Sequence, residues 1–145
     1  WDGAPQPNLI AEQAKIAFLE EKNWSEPAVI EWLRKCCANI LLVAGSRHFI
    51  SKSIRSAVCL AVNLHPAPLP KYPGAYPTPA LMEAGETQSG VTAHIMTDQV
   101  DAGPILHFEP TPIYDGDKNS DVDRRNLAAF VRAARVIISG SWDTS

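Results

Sequence analysis

The spacing of apolar positions changes several times along the chain, and each change predicts an element. Val29, Ile30, Leu33, Cys36 and Cys37 recur at helical spacing, with Glu31, Arg34 and Lys35 between them. Ser25, followed by Glu26 and Pro27, supplies the start signal of this amphipathic helix. Residues 38–44 (ANILLVA) and 59–64 (CLAVNL) are short, nearly unbroken apolar runs, the pattern of parallel strands covered on both faces. Residues 50–57, between them, have a helical pattern, and residues 78–84 predict a short helix stopped by Gly85. Residues 90–97 (GVTAHIMT) alternate: Val91, Ala93 and Ile95 point one way, Thr92, His94 and Met96 the other. That is a strand with one polar face. Residues 105–113 predict a further strand, placed at a sheet edge by Pro110 and Pro112. A final helix capped by Ser120 or Asp121 carries Val122, Leu127, Phe130, Val131, Ala134 and Ile138 and ends at Gly140. Residues 9–21 fit a helix, although 15–19 fit a short strand equally well. Strands alternating with helices predict an α/β fold with a mostly parallel sheet and helices on both faces.

Composition narrows the class. The 145 residues suit one domain, expected over 1–145, with enough chain to bury a core. Acidic residues outnumber basic ones 16 to 13, the net charge is -3, and no segment concentrates Lys or Arg, so general nucleic-acid binding is not expected. No apolar run approaches the length of a membrane helix and no signal segment opens the chain, so the sequence reads as soluble and cytoplasmic. Cys36, Cys37 and Cys59 are odd in number and include an adjacent pair; they are expected as buried thiols rather than a disulfide framework. Of the 12 prolines, six lie between Pro66 and Pro79, immediately after the second apolar run. A segment so stiffened lowers the cost of holding a ligand.

That segment sits where parallel α/β sheets bind ligands, outside a strand's carboxyl end. Asn63 and His65, one residue apart at the strand end, share a side if the extended geometry persists. Asp101 opens a turn, Asp-Ala-Gly-Pro, after the strand that carries His94. A histidine, an amide and a carboxylate so placed can supply a general base, an oxyanion donor and a group that orients the base. Singly, each also has a structural reading: a core histidine, an amide satisfying loop backbone, an Asx-turn aspartate. Zinc is disfavoured because no close His or Cys pair has ligand spacing.

The linked set weighs more than its members. Asn63-Leu-His-Pro-Ala-Pro-Leu-Pro-Lys-Tyr-Pro-Gly, then Ala80-Leu-Met-Glu-Ala-Gly, Gly90-Val-Thr-Ala-His and Val100-Asp-Ala-Gly-Pro-Ile-Leu closely resembles the formyltransferase family that uses 10-formyltetrahydrofolate. That family includes glycinamide ribonucleotide, methionyl-tRNA and amino-sugar formyltransferases and the formyltetrahydrofolate deformylases. The resemblance covers about residues 39–113 and implies the catalytic residues Asn63, His65 and Asp101, with the family's strand histidine at His94. It also implies that main-chain groups hold the pterin ring in two loops, at Arg47, His48 and Phe49 and at Asp98, Gln99 and Val100.

Two departures from the family pattern stand out. The strand and Gly-rich turn that open the family's nucleotide-binding-like half are absent, and residues 1–35 resemble only its last portion. The usual Ser-Leu after His-Pro is Ala67-Pro68, which keeps the stiff loop and removes a hydroxyl. The resemblance therefore implies an N-terminally shortened domain that transfers a formyl group from 10-formyltetrahydrofolate to a small-molecule amine without a metal. Hydrolysis of the same cofactor, or folate binding without catalysis, are the alternatives. A shortened sheet exposes an edge, so a homo-oligomer or a longer native chain is expected.

Overall fold

The computed structural model describes residues 6–20, 25–46 and 48–141. The chain divides into two compact units, Trp1–Ala38 and Asn39–Ser145.

The first unit holds two helices. α1 (Pro7–Gln13) begins with proline in its first turn, where a missing N–H costs nothing, and gives way at Lys15 to a left-handed residue, φ 54°. Residues 16–20 are neither helix nor strand, so the helical reading holds only for the first half of 9–21. α2 (Glu26–Lys35) starts behind Ser25 as expected. It ends one residue before the adjacent cysteines, because Cys37 turns left-handed at φ 51°. Cys36 and Cys37 therefore lie beyond the apolar stripe, and Cys59 precedes a strand rather than joining it; all three are exposed, not buried as expected.

The second unit is built from β1 (Ile40–Ala44), α3 (Lys52–Arg55), β2 (Leu60–His65), α4 (Pro77–Glu83), β3 (Gln88–Ile95), β4 (Ile105–Pro112) and α5 (Asn119–Ser139). The strands form one sheet in the order β1-β2-β3-β4. The α/β class is as expected, but the sheet is mixed rather than mostly parallel: β1 pairs with β2 in parallel, whereas β2–β3 and β3–β4 are antiparallel. For β3 and β4 the reason lies in the connection. A parallel pair needs a crossover of a dozen or more residues, and residues 96–104, which join β3 to β4, are fewer and contain no helix. β4 lies at the sheet edge, where its prolines remove no ladder bond from a central strand.

α5 packs across the sheet and closes the core. Val62 and Leu64 of β2 and Val91 and Ala93 of β3 meet Ala129, Ala133 and Ile137, with Leu42, Leu106 and Phe130 around them. Each large side chain fully buried there contributes about 1.5–3 kcal/mol. The helix begins at Asn119, ahead of the expected cap, because the Asp121 carboxylate accepts the Lys118 N–H at 3.0 Å from inside the first turn. Gly140, φ 69°, ends it as expected.

One polar residue joins this core. Asn126 of α5 is buried, accepts the Thr111 hydroxyl at 2.7 Å, and donates to the Ser89 hydroxyl at 3.1 Å and the Pro66 carbonyl at 3.4 Å. It ties the helix to β3, β4 and the segment that follows His65. With the odd-numbered residues of β3 turned to α5, strand alternation sends Thr92 and His94 to the opposite face.

Candidate active site

The site forms on that opposite face, where β2 and β3 run antiparallel. Their register makes Asn63 the Cα partner of His94 and His65 the partner of Thr92, so the two-residue spacing on each strand becomes a cluster of four polar side chains. A register irregularity between Ala93 and His94 opens the β3–β4 ladder beside this cluster.

Asp101 enters from the β3–β4 connection in a left-handed conformation, φ 52°, and completes the group. One carboxylate oxygen, Oδ1, accepts from Asn63 Nδ2 at 3.3 Å and lies 3.4 Å from His94 Nε2. The other, Oδ2, accepts the Gly74 N–H at 2.8 Å and lies 3.4 Å from His65 Nδ1. His65 Nε2 is 2.8 Å from the Tyr72 carbonyl oxygen. The side chains of His65, His94 and Asp101 are only 4%, 3% and 7% exposed, so a charge here depends on these partners rather than on water. The structure brings the Asn63, His65 and Asp101 side chains together around the Asp101 carboxylate.

The histidines differ in role. His94 Nδ1 lies 3.1 Å from the Ile95 carbonyl, which can only accept, so Nδ1 carries the hydrogen. Burial pushes the His94 imidazole below its ordinary value of 6.5; the Ile95 carbonyl and the Asp101 carboxylate oppose this, and the charge of His65 adds to it. A neutral ring then offers a lone pair at Nε2, and Asn63 Nδ2, 3.2 Å away, donates to it. That contact fixes which end of the Asn63 amide faces Asp101. His65, by contrast, has an acceptor at each nitrogen.

The surrounding loops show why the sequence takes this form. Gly103 of the Asp-Ala-Gly-Pro turn packs so closely on β3 that a Cβ would fall 1.8 Å from the Ile95 carbonyl oxygen. The loop after His65 is held by Thr92, whose hydroxyl donates to the Ala67 carbonyl at 2.6 Å and accepts the Leu69 N–H at 3.1 Å. Arg47 lies outside the described residues. Of the other residues expected at the cofactor, Phe49 and Val100 are exposed, and the His48 N–H donates to Ser46 Oγ at 3.0 Å. In the second loop the Gln99 N–H donates to Thr97 Oγ1 at 3.3 Å.

Arg55 joins these two loops, and sequence reasoning passed over it. Its guanidinium pairs with the Asp98 carboxylate, donates to the Ile50 carbonyl at 2.6 Å and stands 6.0 Å from the centre of the Phe49 ring. One of two basic residues in a four-residue helix gives no sequence signal for such a role. The Tyr72 carbonyl and the Gly74 N–H were equally silent, since every residue has a backbone.

An amide donor, a doubly engaged imidazole and a buried carboxylate can together stabilise a developing oxyanion and take up a proton. Comparison with known proteins identifies the family. The family model described as formyl transferase matches residues 3–133. Methionyl-tRNA formyltransferase of Thermotoga maritima is 34% identical over 104 residues, 70% of this chain and 33% of that protein. Phosphoribosylglycinamide formyltransferase of Escherichia coli is 31% identical over 88 residues, 60% of this chain and 42% of that one. The chain thus spans a third to under half of the length of these relatives. Among solved structures, glycinamide ribonucleotide transformylase 1 from Symbiobacterium toebii superposes with a TM-score of 0.76 at 28% identity, covering 84% of this chain and 61% of its own. A formyltetrahydrofolate deformylase from Pseudomonas syringae, at 20% identity and a TM-score of 0.75, covers 92% of this chain and 48% of its own and shows likeness of fold alone. With the family match running through most of the chain, and through every residue that meets at Asp101, the chain belongs to the formyl transferase family.

Proposed function

We propose that this chain transfers a formyl group from 10-formyltetrahydrofolate to a small-molecule amine, with Asn63, His65 and Asp101 as the catalytic residues. The observation that carries the reading is the convergence of the three on one buried point, with His65 set between the Asp101 carboxylate and the Tyr72 carbonyl. The donor set fits the group to be bound: formyl transfer needs hydrogen-bond donors for a carbonyl oxygen and an acceptor for an amine proton, and both are here. The bound folate supplies a formyl carbon open to attack by an amine, one C–N bond being exchanged for another.

The chain's residues do the rest. His65, with the Asp101 carboxylate 3.4 Å from Nδ1 and the Tyr72 carbonyl 2.8 Å from Nε2, would in its protonated form offer positive charge to the formyl oxygen as negative charge gathers there. Asn63 adds an amide N–H. Its present bonds, 3.2 Å to His94 and 3.3 Å to Asp101, are long, and such bonds yield most readily to a stronger acceptor. Asp101 orients the ring, takes up the proton the amine loses, directly or through one water, and would pass it to the folate nitrogen released as its C–N bond breaks. The pterin is held by main-chain groups of the two loops that Arg55 joins, at Arg47, His48 and Phe49 and at Asp98, Gln99 and Val100.

The same residues would serve water as the nucleophile, which makes the reaction a hydrolysis. Consumption of 10-formyltetrahydrofolate with and without amines separates the readings. Amine-dependent consumption supports transfer, amine-independent consumption means hydrolysis, and folate binding without consumption means a binding module. A screen of amino sugars, amino-nucleotides and hydroxylated amino acids identifies the acceptor.

The chain acts as a homo-oligomer or as part of a longer polypeptide in this reading, since β1 ends the sheet among the described residues and open strand edges invite pairing. A cytoplasmic location is part of the proposal. Independently of it, no helix among the described residues is long and apolar enough to cross a membrane.

A further inference from the structure

We propose that Glu86 is a positioning residue for His65, acting through Tyr72, whose hydroxyl it binds and whose carbonyl holds the catalytic ring. This deepens the formyl-transfer reading and rests on it only for the expected effect on turnover.

Tyr72 is engaged at both ends. Its hydroxyl donates to Glu86 Oε1 at 2.8 Å, and its carbonyl oxygen lies 2.8 Å from His65 Nε2. Between the two, its backbone adopts φ 46°, a left-handed conformation that is costly for a residue with a Cβ and persists where the surroundings impose it. The hydroxyl bond to Glu86 is such an imposition. The same Glu86 oxygen accepts from Lys71 Nζ at 3.1 Å, so one carboxylate gathers two consecutive side chains of the loop. The Tyr72 hydroxyl first, and then the Lys71 ammonium, hold the Glu86 carboxyl below its ordinary value, so it accepts as the anion.

The chain of contacts ends at the ring that matters. His65 is faced by the Asp101 carboxylate at Nδ1, with His94 of β3 close by across Asp101. If the Tyr72 carbonyl turned away, Nε2 would lose its acceptor and the ring would be aimed from one side only. Glu86, in the connection between α4 and β3, touches none of the reacting groups; its influence on them is entirely through the loop.

The test compares Tyr72→Phe, which keeps ring and carbonyl but removes the hydroxyl, with Glu86→Ala, Glu86→Gln and the Tyr72→Phe/Glu86→Ala double variant. The ring-nitrogen NMR signals of His65 are read in the ligand-free protein, and turnover and folate KM are measured beside them. Tyr72→Phe and Glu86→Ala are expected to weaken the hydrogen-bonded Nε2–H signature and to lower kcat about 3- to 10-fold, the worth of one hydrogen bond, with folate KM unchanged. Glu86→Gln, whose amide oxygen still accepts the hydroxyl, restores both, and the double variant is no worse than either single one. Unchanged His65 signals in Tyr72→Phe and Glu86→Ala would overturn the proposal, as would Glu86→Gln behaving like Glu86→Ala. A normal wild-type signature that both variants disturb, in a protein that turns over no amine, would uphold the positioning role and remove formyl transfer.

Discussion

Asn63 and His94 face each other across the antiparallel β2–β3 pair, and the Asn63 amide donates to the His94 ring at 3.2 Å. The bond requires His94 to be neutral, and burial keeps it so by lowering its proton affinity in the folded state.

This has a consequence for stability. Above the ordinary value of 6.5 neither the folded nor the unfolded chain protonates this residue, and its contribution is constant. Below it the unfolded chain binds the proton first, so stability falls as the pH drops from 6.5 toward the lower folded value. The urea midpoint should decline on the acid side of pH 6.5, and His94→Gln should flatten that part of the curve. A slope identical in the variant would assign the acid sensitivity elsewhere.

His65→Ala is expected to abolish formyl transfer while leaving folate affinity nearly unchanged. Removing one electrostatic stabiliser of the developing oxyanion costs about 3 to 4 kcal/mol, and the proposed pterin contacts are main-chain groups of other loops. Steady-state kinetics with a folate titration decides it: retained turnover takes His65 out of the mechanism, and loss of binding as well makes it structural.

Gly103→Ala should prevent the β3–β4 connection from closing. The added Cβ meets backbone, the Ile95 carbonyl oxygen, and cannot be relieved by a side-chain rotation. The cost should exceed the about 1 to 3 kcal/mol of ordinary overpacking, and because Asp101 is two residues away, activity should fall with stability. Denaturant unfolding and turnover on the same sample check both.

Asn126→Ala should cost about 1 to 3 kcal/mol for each buried partner left without its bond. Thr111 and Ser89 lie on the strands and Pro66 follows His65, so the loss should reach the site as a raised KM or lowered kcat beyond the change in urea midpoint.

The sequence is a good guide here where side chains alternate and a poor one where backbone decides. The polar side of residues 90–97, the shared side of Asn63 and His65, and the edge position of Pro110 and Pro112 are all as the pattern predicts. Periodicity measures which face is buried and is blind to strand direction: the apolar runs of β1 and β2 do pair in parallel as expected, whereas nothing in the pattern of residues 90–97 announces that β3 joins β2 antiparallel. Cys36 and Cys37 fit a helical stripe by spacing, yet a single left-handed residue ends the stripe before them. At the site, Asn63, His65 and Asp101 were legible through their motif, whereas the Tyr72 carbonyl and Gly74 N–H carry no identity a sequence could display.

The Thr92 hydroxyl takes hold of the Ala67 carbonyl and the Leu69 N–H, and neither contact involves a side chain of the loop. The path of residues 67–69 is thus fixed from β3 through their backbone. A change from Ser-Leu to Ala67-Pro68 leaves both grips intact, since Pro68 lies between the two gripped residues and lacks only an N–H that Thr92 does not use. Residue types at positions 67 and 68 can then change without loosening either grip, while the backbone beside His65 stays where the strand has put it.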